Sequence, residues 1–190
     1  MAEHIFILGG ARSGKTTLAE KLALRLGQHP AYLASAESGD AEMAARIAAH
    51  RHARAGRFVT IEEPLELPRA LLAATRYDVV IVDCLTLWLS NLIEADRDIA
   101  AATAELAAAL GEMETLRAIL VSNEVGLGIV PDNELARHFR DHAGRLNQAV
   151  AEASAHVYFT AAGLPLTLKG TAPEGLCPHA RAVNDTSGRP

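Results

Sequence analysis

Short apolar runs alternate with longer segments of helical period along this chain. His4 to Leu8 is an apolar run ending at Gly9-Gly10, which predicts a buried strand entering a loop. From Ser13 to Leu26, leucines recur every fourth residue at Leu18, Leu22 and Leu26, the period of one helix face. A second strand is expected at Ala31 to Ala34, a helix at Ala41 to Arg54, and a strand at Arg57 to Ile61 before Pro64. Leu65 to Ala74 reads as helix. Tyr77 to Cys84 contains VVIVDC, a β-branched run suited to a central parallel strand covered on both faces. Helices follow at Leu85 to Glu94 and Ile99 to Thr115, then a buried strand at Ala118 to Ser122. Asn133 to Ala155 is a long helical segment with a break expected near Gly144, and Val157 to Ala161 and Leu164 to Leu168 read as closing strands. Strands alternating with helices predict an α/β fold built on a parallel sheet with right-handed crossovers.

The chain has 190 residues, which suits one domain. That domain is expected over residues 1–170. From 171 to 190, TAPEGLCPHARAVNDTSGRP is rich in proline, glycine and small polar residues and reads as a mobile C-terminal tail. The apolar share of 49% supports a substantial core. A net charge of −5 and few aromatic residues argue against a nucleic-acid partner. Cys84 and Cys177 form neither a disulfide framework nor a zinc pattern, so a reducing cytoplasm is expected. The opening MAEHIFILGG predicts no secretory leader, and no apolar stretch is long enough to predict a membrane span.

The chemistry begins at residues 9–16. Gly9, Gly10, Ala11, Arg12, Ser13, Gly14, Lys15 and Thr16 match G-x-x-x-x-G-K-[ST], between an apolar strand and a helix. Small residues let the backbone curl so that successive N–H groups face phosphate oxygens, and the helix that follows adds the positive end of its dipole. Lys15 is expected to reach the outer phosphates, and the Thr16 hydroxyl to ligate Mg²⁺. A carboxylate is needed beside Thr16. Asp83, at the carboxyl end of VVIVD, is the candidate, with a plain helix cap as the alternative.

Arg46, His50 and Arg54 recur every fourth residue, so a helix would align them in one stripe. Flanking guanidinium groups disfavour imidazolium, and a neutral imidazole is a nucleophile beside cations able to hold phosphate. The plainer alternative is a partly buried histidine on a helix face with solvated arginines. His52 lies on another side of that helix. His138 and His142 form an i, i+4 pair with no evident third ligand.

These features together resemble the bifunctional adenosylcobinamide kinase / adenosylcobinamide-phosphate guanylyltransferase family, over about residues 4–169. The carrying segments are ILGGARSGKT (7–16), EMAARIAAHRHAR (42–54), VDCLTLWLSNL (82–92), SNEVGLGIVP (122–131), LARHFRDHAGRLNQ (135–148) and GLPLTLK (163–169). The resemblance implies a three-layer, RecA-like P-loop NTPase fold with a mostly parallel central sheet. It implies two reactions. ATP or GTP phosphorylates the terminal hydroxyl of adenosylcobinamide, and GMP is then transferred from GTP to adenosylcobinamide phosphate through a guanylyl-histidine, giving adenosylcobinamide-GDP. The resemblance places the nucleophile on His50. It adds nucleotide contacts at Ala34, Ser35 and Ala36, at Arg51, His52, Ala53 and Arg54, and at Glu62, where the sequence alone does not choose between Glu62 and Glu63. Asn123, Glu124, Arg137 and Arg140 are carried as cleft residues only. A homo-oligomer, specifically a trimer, is also implied. A monofunctional small-molecule kinase without a histidyl intermediate and a non-catalytic GTP-binding switch are the rival readings.

Overall fold

A computed structural model describes residues 2–36 and 56–173. Its described elements run β1 (Ile5–Gly9), α1 (Lys15–Leu26), β2 (Pro30–Ala34), β3 (Val59–Glu62), α2 (Leu67–Ala73) and β4 (Val79–Asp83). They continue with α3 (Leu85–Glu94), α4 (Ile99–Glu112), β5 (Arg117–Asn123), α5 (Glu134–Ala153), β6 (His156–Ala161) and β7 (Leu164–Lys169). The strands form one seven-stranded sheet in the order β3-β2-β4-β5-β1-β6-β7. All neighbours are parallel except the β6–β7 pair. Nothing separates β6 from β7 but Ala162 and Gly163, with φ of 51° and 79°. Two left-handed residues make a hairpin turn, and so short a link forces an antiparallel return, the one antiparallel pair of the expected mostly parallel sheet.

The period of two along each strand divides the core between two faces. Phe6, Leu8, Val80 and Val82 point to one side, where they meet Leu67, Leu85, Trp88, Leu106 and Leu146 from α2 to α5. Ile5, Ile7, Val79 and Ile81 point to the other, where Leu18, Ala19, Leu22 and Ala23 of α1 cover them. The result is the expected three-layer arrangement. Trp88 is fully buried, and its indole N–H donates to Leu65 O at 2.8 Å, so a large apolar side chain enters the core without stranding its one polar atom.

Several boundaries differ from the sequence reading for local reasons. Helix α1 begins at Lys15 instead of Ser13 because Gly14, at φ 99°, still belongs to the loop. Helix α4 stops at Glu112, where Met113 turns extended. Helix α5 passes through Gly144 without a break. One glycine costs a helix interior about 1 kcal/mol, which the burial of Ala143, Leu146 and Val150 offsets. Side chains cap α4 and α5: Asp98 accepts from the Ala101 N–H, and Asn133 from the Ala136 N–H. The helix expected at 41–54 and the tail from 174 onward lie outside the described residues. No described helix is long and apolar enough to cross a membrane.

Candidate nucleotide and metal site

The glycine-rich loop leaves the carboxyl end of β1 and is pressed against the closing hairpin. A Cβ on Gly9 would lie 2.4 Å from Thr160 O and 2.7 Å from Ser13 Oγ, so the close approach of backbones excludes any larger residue. Ser13 Oγ meets Thr160 Oγ1 at 2.9 Å, and Thr160 Oγ1 also donates to Leu8 O at 3.1 Å. The Gly163 N–H donates to Ser13 O at 2.9 Å, and a Cβ on Gly14 would lie 3.0 Å from Gly163 Cα. Both ends of the loop are thereby held by β6 and the turn that follows it.

Lys15 opens α1 with its ammonium folded into the bowl of this loop, donating to Gly9 O at 2.9 Å and Gly10 O at 2.6 Å. Burial lowers its pKa, opposed by the Asp83 carboxylate. Carbonyl partners and a nearby carboxylate compensate a buried cation of this kind.

One residue later, Thr16 reaches the end of β4, two strands away. Its hydroxyl donates to Asp83 Oδ2 at 2.8 Å, and the Tyr32 hydroxyl donates to the same oxygen. Strand β5 lies between the loop strand and β4, so α1 carries Thr16 across the sheet edge to meet Asp83. A hydroxyl and a carboxylate in contact form an oxygen donor set fitted to a hard divalent cation. Helix α3 is capped at Cys84 without a side-chain hydrogen bond, and the Asp83 carboxylate accepts from Thr16 and Tyr32.

The remaining candidates divide. Ala34 ends β2, and Ala36 lies two residues beyond it. Ser35 is fully buried: its hydroxyl donates to Cys84 O at 2.7 Å and accepts from the Cys84 N–H at 3.0 Å, tying the ends of β2 and β4 together. Glu62 ends β3 in register with Ala34. Glu63 instead accepts from the N–H groups of Leu65 and Glu66, and so is committed to the turn before α2. His50, Arg51, His52, Ala53 and Arg54, with Arg46, lie outside the described residues. Asn123 pairs with Gly9 in the sheet, and the Glu124 N–H donates to Gly9 O at 3.0 Å, which puts the start of the 124–133 loop beside the glycine-rich one. Arg137 donates to Pro131 O and Asp132 O and anchors its own loop. His138 and His142 touch through their Nε2 atoms at 3.0 Å, and no group of three metal-ligating side chains occurs among the described residues.

Two contributors were not visible in the sequence. Tyr32 reads as an ordinary strand aromatic, and Thr160 lies 147 residues from the Ser13 it holds. Only the sheet order brings them to the loop. Cys84, beside Asp83, is buried, and burial pushes its thiol up to about 11, which leaves it protonated and unreactive.

A family model described as cobinamide kinase / cobinamide phosphate guanyltransferase matches residues 5–168. The bifunctional adenosylcobalamin biosynthesis protein CobP of Pseudomonas aeruginosa is 50% identical over 167 residues, covering 86% of this chain and 96% of that protein. Its counterpart CobU of Escherichia coli is 37% identical over 180 residues, covering 87% and 99%. Among solved structures, the flagellar accessory protein FlaH of Methanocaldococcus jannaschii is similar with a TM-score of 0.52 at 14% identity, over 88% of this chain and 78% of that one. The PH0250 protein of Pyrococcus horikoshii reaches 0.55 at 10% identity, over 90% and 88%. The structural likenesses bear on the fold alone, which is the α/β fold of P-loop NTPases.

Proposed function

The chain belongs to the cobinamide kinase / cobinamide phosphate guanyltransferase family, and from that premise we propose that it runs both reactions with one nucleotide-binding loop and a histidine, His50, outside it. The observation that carries the reading is the Thr16–Asp83 contact under an intact loop, in a chain matched to the family over almost all its length.

In the kinase step, ATP or GTP lies with its β- and γ-phosphates against the loop amides of residues 10–16. The acceptor hydroxyl of adenosylcobinamide forms a new O–P bond to the γ-phosphorus. The bond to the β-γ bridging oxygen breaks, ADP or GDP leaves, and the hydroxyl proton passes to water. Lys15, turning from the carbonyls of Gly9 and Gly10, and the N-terminus of α1 stabilise the charge on the transferring group. Mg²⁺ fits the Thr16–Asp83 pair and, when bound, supplies charge neutralisation at the phosphates. Tyr32 helps orient Asp83 by donating to the same carboxylate oxygen as Thr16.

In the transferase step, neutral His50 attacks the α-phosphorus of GTP. An N–P bond forms, the α–β bridging bond breaks and pyrophosphate leaves. A phosphate oxygen of adenosylcobinamide phosphate then attacks the same phosphorus, releasing His50 and giving adenosylcobinamide-GDP. Ala34, Ser35, Ala36, Glu62 and residues Arg51 to Arg54 are the proposed nucleotide contacts for this step; at Ser35 the hydroxyl is engaged by Cys84 and the carbonyl by Asn91. A cytoplasmic homo-oligomer, a trimer, is the proposed assembly. Leu164, Leu166 and Leu168, in a row on edge strand β7 and more than half exposed, are apolar surface suited to a second copy.

The deciding experiment uses GTP labelled in the α-phosphate. Protein incubated with it and Mg²⁺ should retain acid-labile, alkali-stable label that chases into product when adenosylcobinamide phosphate is added. Retention of that label in folded His50→Ala would remove His50 from the mechanism, and absence of label in the wild type would favour a monofunctional kinase.

A further inference from the structure

Building on that reading, we propose that the corrinoid acceptor is held in the groove between α3, the 124–133 loop and the first turns of α5. The groove has a volume of about 500 Å³, within the range of small-molecule sites. Ile93, Val125, Pro131 and Phe139 give it apolar walls, and Glu94 and Arg140 stand among its polar lining. Such a surface does not suit a triphosphate. It suits a large macrocycle with apolar faces and a rim of amides, which need apolar contact at the centre and hydrogen-bonding partners at the edge.

Position supports the assignment independently of composition. Asn91 of α3 donates to Ser35 O and Pro64 O, just past the carboxyl ends of β2 and β3, so α3 crosses the sheet edge at which the glycine-rich loop also opens. Ligands of open α/β sheets collect at that edge. Val125 stands two residues beyond Asn123, the sheet partner of Gly9; two residues span at most ~7 Å. A bound macrocycle could therefore keep its body in the groove while its hydroxyl-bearing arm reaches the loop. Charge agrees with the order of reactions. After the first step the acceptor carries a phosphate, and Arg140, whose guanidinium meets Asp141 Oδ1 at 3.3 Å, stands in the lining of the groove. The apolar surface also continues outward, with Leu127 and Ile129 of the same loop 81% and 97% exposed, enough to follow a ligand broader than the groove.

The test measures cobinamide turnover and binding in Leu135→Asp and Phe139→Ala, with the corrin's own visible absorbance as the binding signal. Leu135 lines the groove yet is largely exposed, so its replacement leaves the fold intact if Phe139→Ala does not. We expect the KM and Kd for cobinamide to rise tenfold or more in both, with KM for nucleotide unchanged and the molecular mass by light scattering unchanged. An unaltered cobinamide KM in folded Leu135→Asp overturns the assignment while leaving the family reaction standing. A change in molecular mass that accounts for the lost activity also overturns it, giving the groove to a second copy of the chain. Wild-type protein that neither binds nor phosphorylates cobinamide overturns the groove and the underlying reading together.

Discussion

The Thr16 hydroxyl rests 2.8 Å from Asp83 Oδ2, although 67 residues separate the two in sequence. The contact exists because α1 leaves β1 and runs over β5 to β4, and because Tyr32, in register two residues before Ala34, which itself pairs with Asp83, donates to the same carboxylate oxygen from β2. Two strands and a helix thus contribute to one oxygen cluster at the mouth of the loop.

This cluster makes a graded prediction. Asp83→Asn keeps the size of the side chain but removes its charge, and should lower kinase kcat/KM by about 10²-fold, the usual cost of losing one preorganised electrostatic group. Tyr32→Phe leaves the carboxylate in place and removes only one donor, so the loss should be smaller and should shrink as Mg²⁺ is raised. Equal losses in both variants, indifferent to Mg²⁺, would count against a metal role for Asp83.

Lys15→Ala should abolish most kinase turnover while leaving thermal stability close to wild type. Its ammonium is buried against the loop's own carbonyls, and the same burial lowers its pKa, so removing it relieves a desolvated charge as it breaks two hydrogen bonds. Steady-state phosphorylation of cobinamide beside a melting curve separates the two effects. Substantial turnover in a folded variant would show that another group carries the charge.

How much of this was legible in the sequence depends on the range of the interaction. The loop motif, the strand ending in Asp83 and the alternation of elements are local patterns, and each appears where periodicity and spacing put it. The pairing of Glu63 with the α2 turn, which separates it from Glu62, needed coordinates, because both acids follow the same strand. Ser35 is similar: a serine after a strand looks available, yet it is sealed against Cys84. The antiparallel β7 was obscured because apolar alternation gives a strand but not its direction; the left-handed Ala162-Gly163 turn supplies that.

A pH prediction comes from His4, far from the loop. Its ring is buried, its Nε2–H donates to Leu110 O at 2.8 Å, and its Nδ1 accepts from the Ala118 N–H at 3.1 Å. This fixes one neutral tautomer linking α4 to β5. Desolvation lowers its pKa from 6.5, with Arg117 and the amino terminus acting in the same direction and the Leu110 carbonyl opposing them. The unfolded chain therefore takes up a proton before the folded one does. The stabilisation is complete above 6.5 and is lost as pH falls through that value toward the lower folded one. Urea midpoints at pH 7.5 and 5.5 should show the fall. In His4→Leu the drop between the two pH values should be smaller, with stability at pH 7.5 reduced by about 1–3 kcal/mol for the two backbone groups left unpaired. An identical drop in wild type and variant would assign the pH effect elsewhere.

The hairpin that closes the sheet also shapes the glycine-rich loop, and Thr160 is where that coupling can be broken cleanly. Its hydroxyl joins Ser13 Oγ and Leu8 O, and the same residue's carbonyl sets the limit on Gly9. Thr160→Val preserves the shape of the side chain and deletes the hydroxyl. Ser13 then lacks its partner, and the loop gains freedom that nucleotide binding must remove. The expected result is a KM for nucleotide raised about 5- to 30-fold, equivalent to about 1–2 kcal/mol, with kcat less affected, because the bound nucleotide restores the loop's curvature. Thr160→Ser returns the hydroxyl without the methyl group and should recover most of the lost affinity, whereas a purely structural role would leave Ser no better than Val. The outcome against a positioning role is a fall in kcat at unchanged KM, or a melting temperature so reduced that both kinetic constants follow the unfolded fraction.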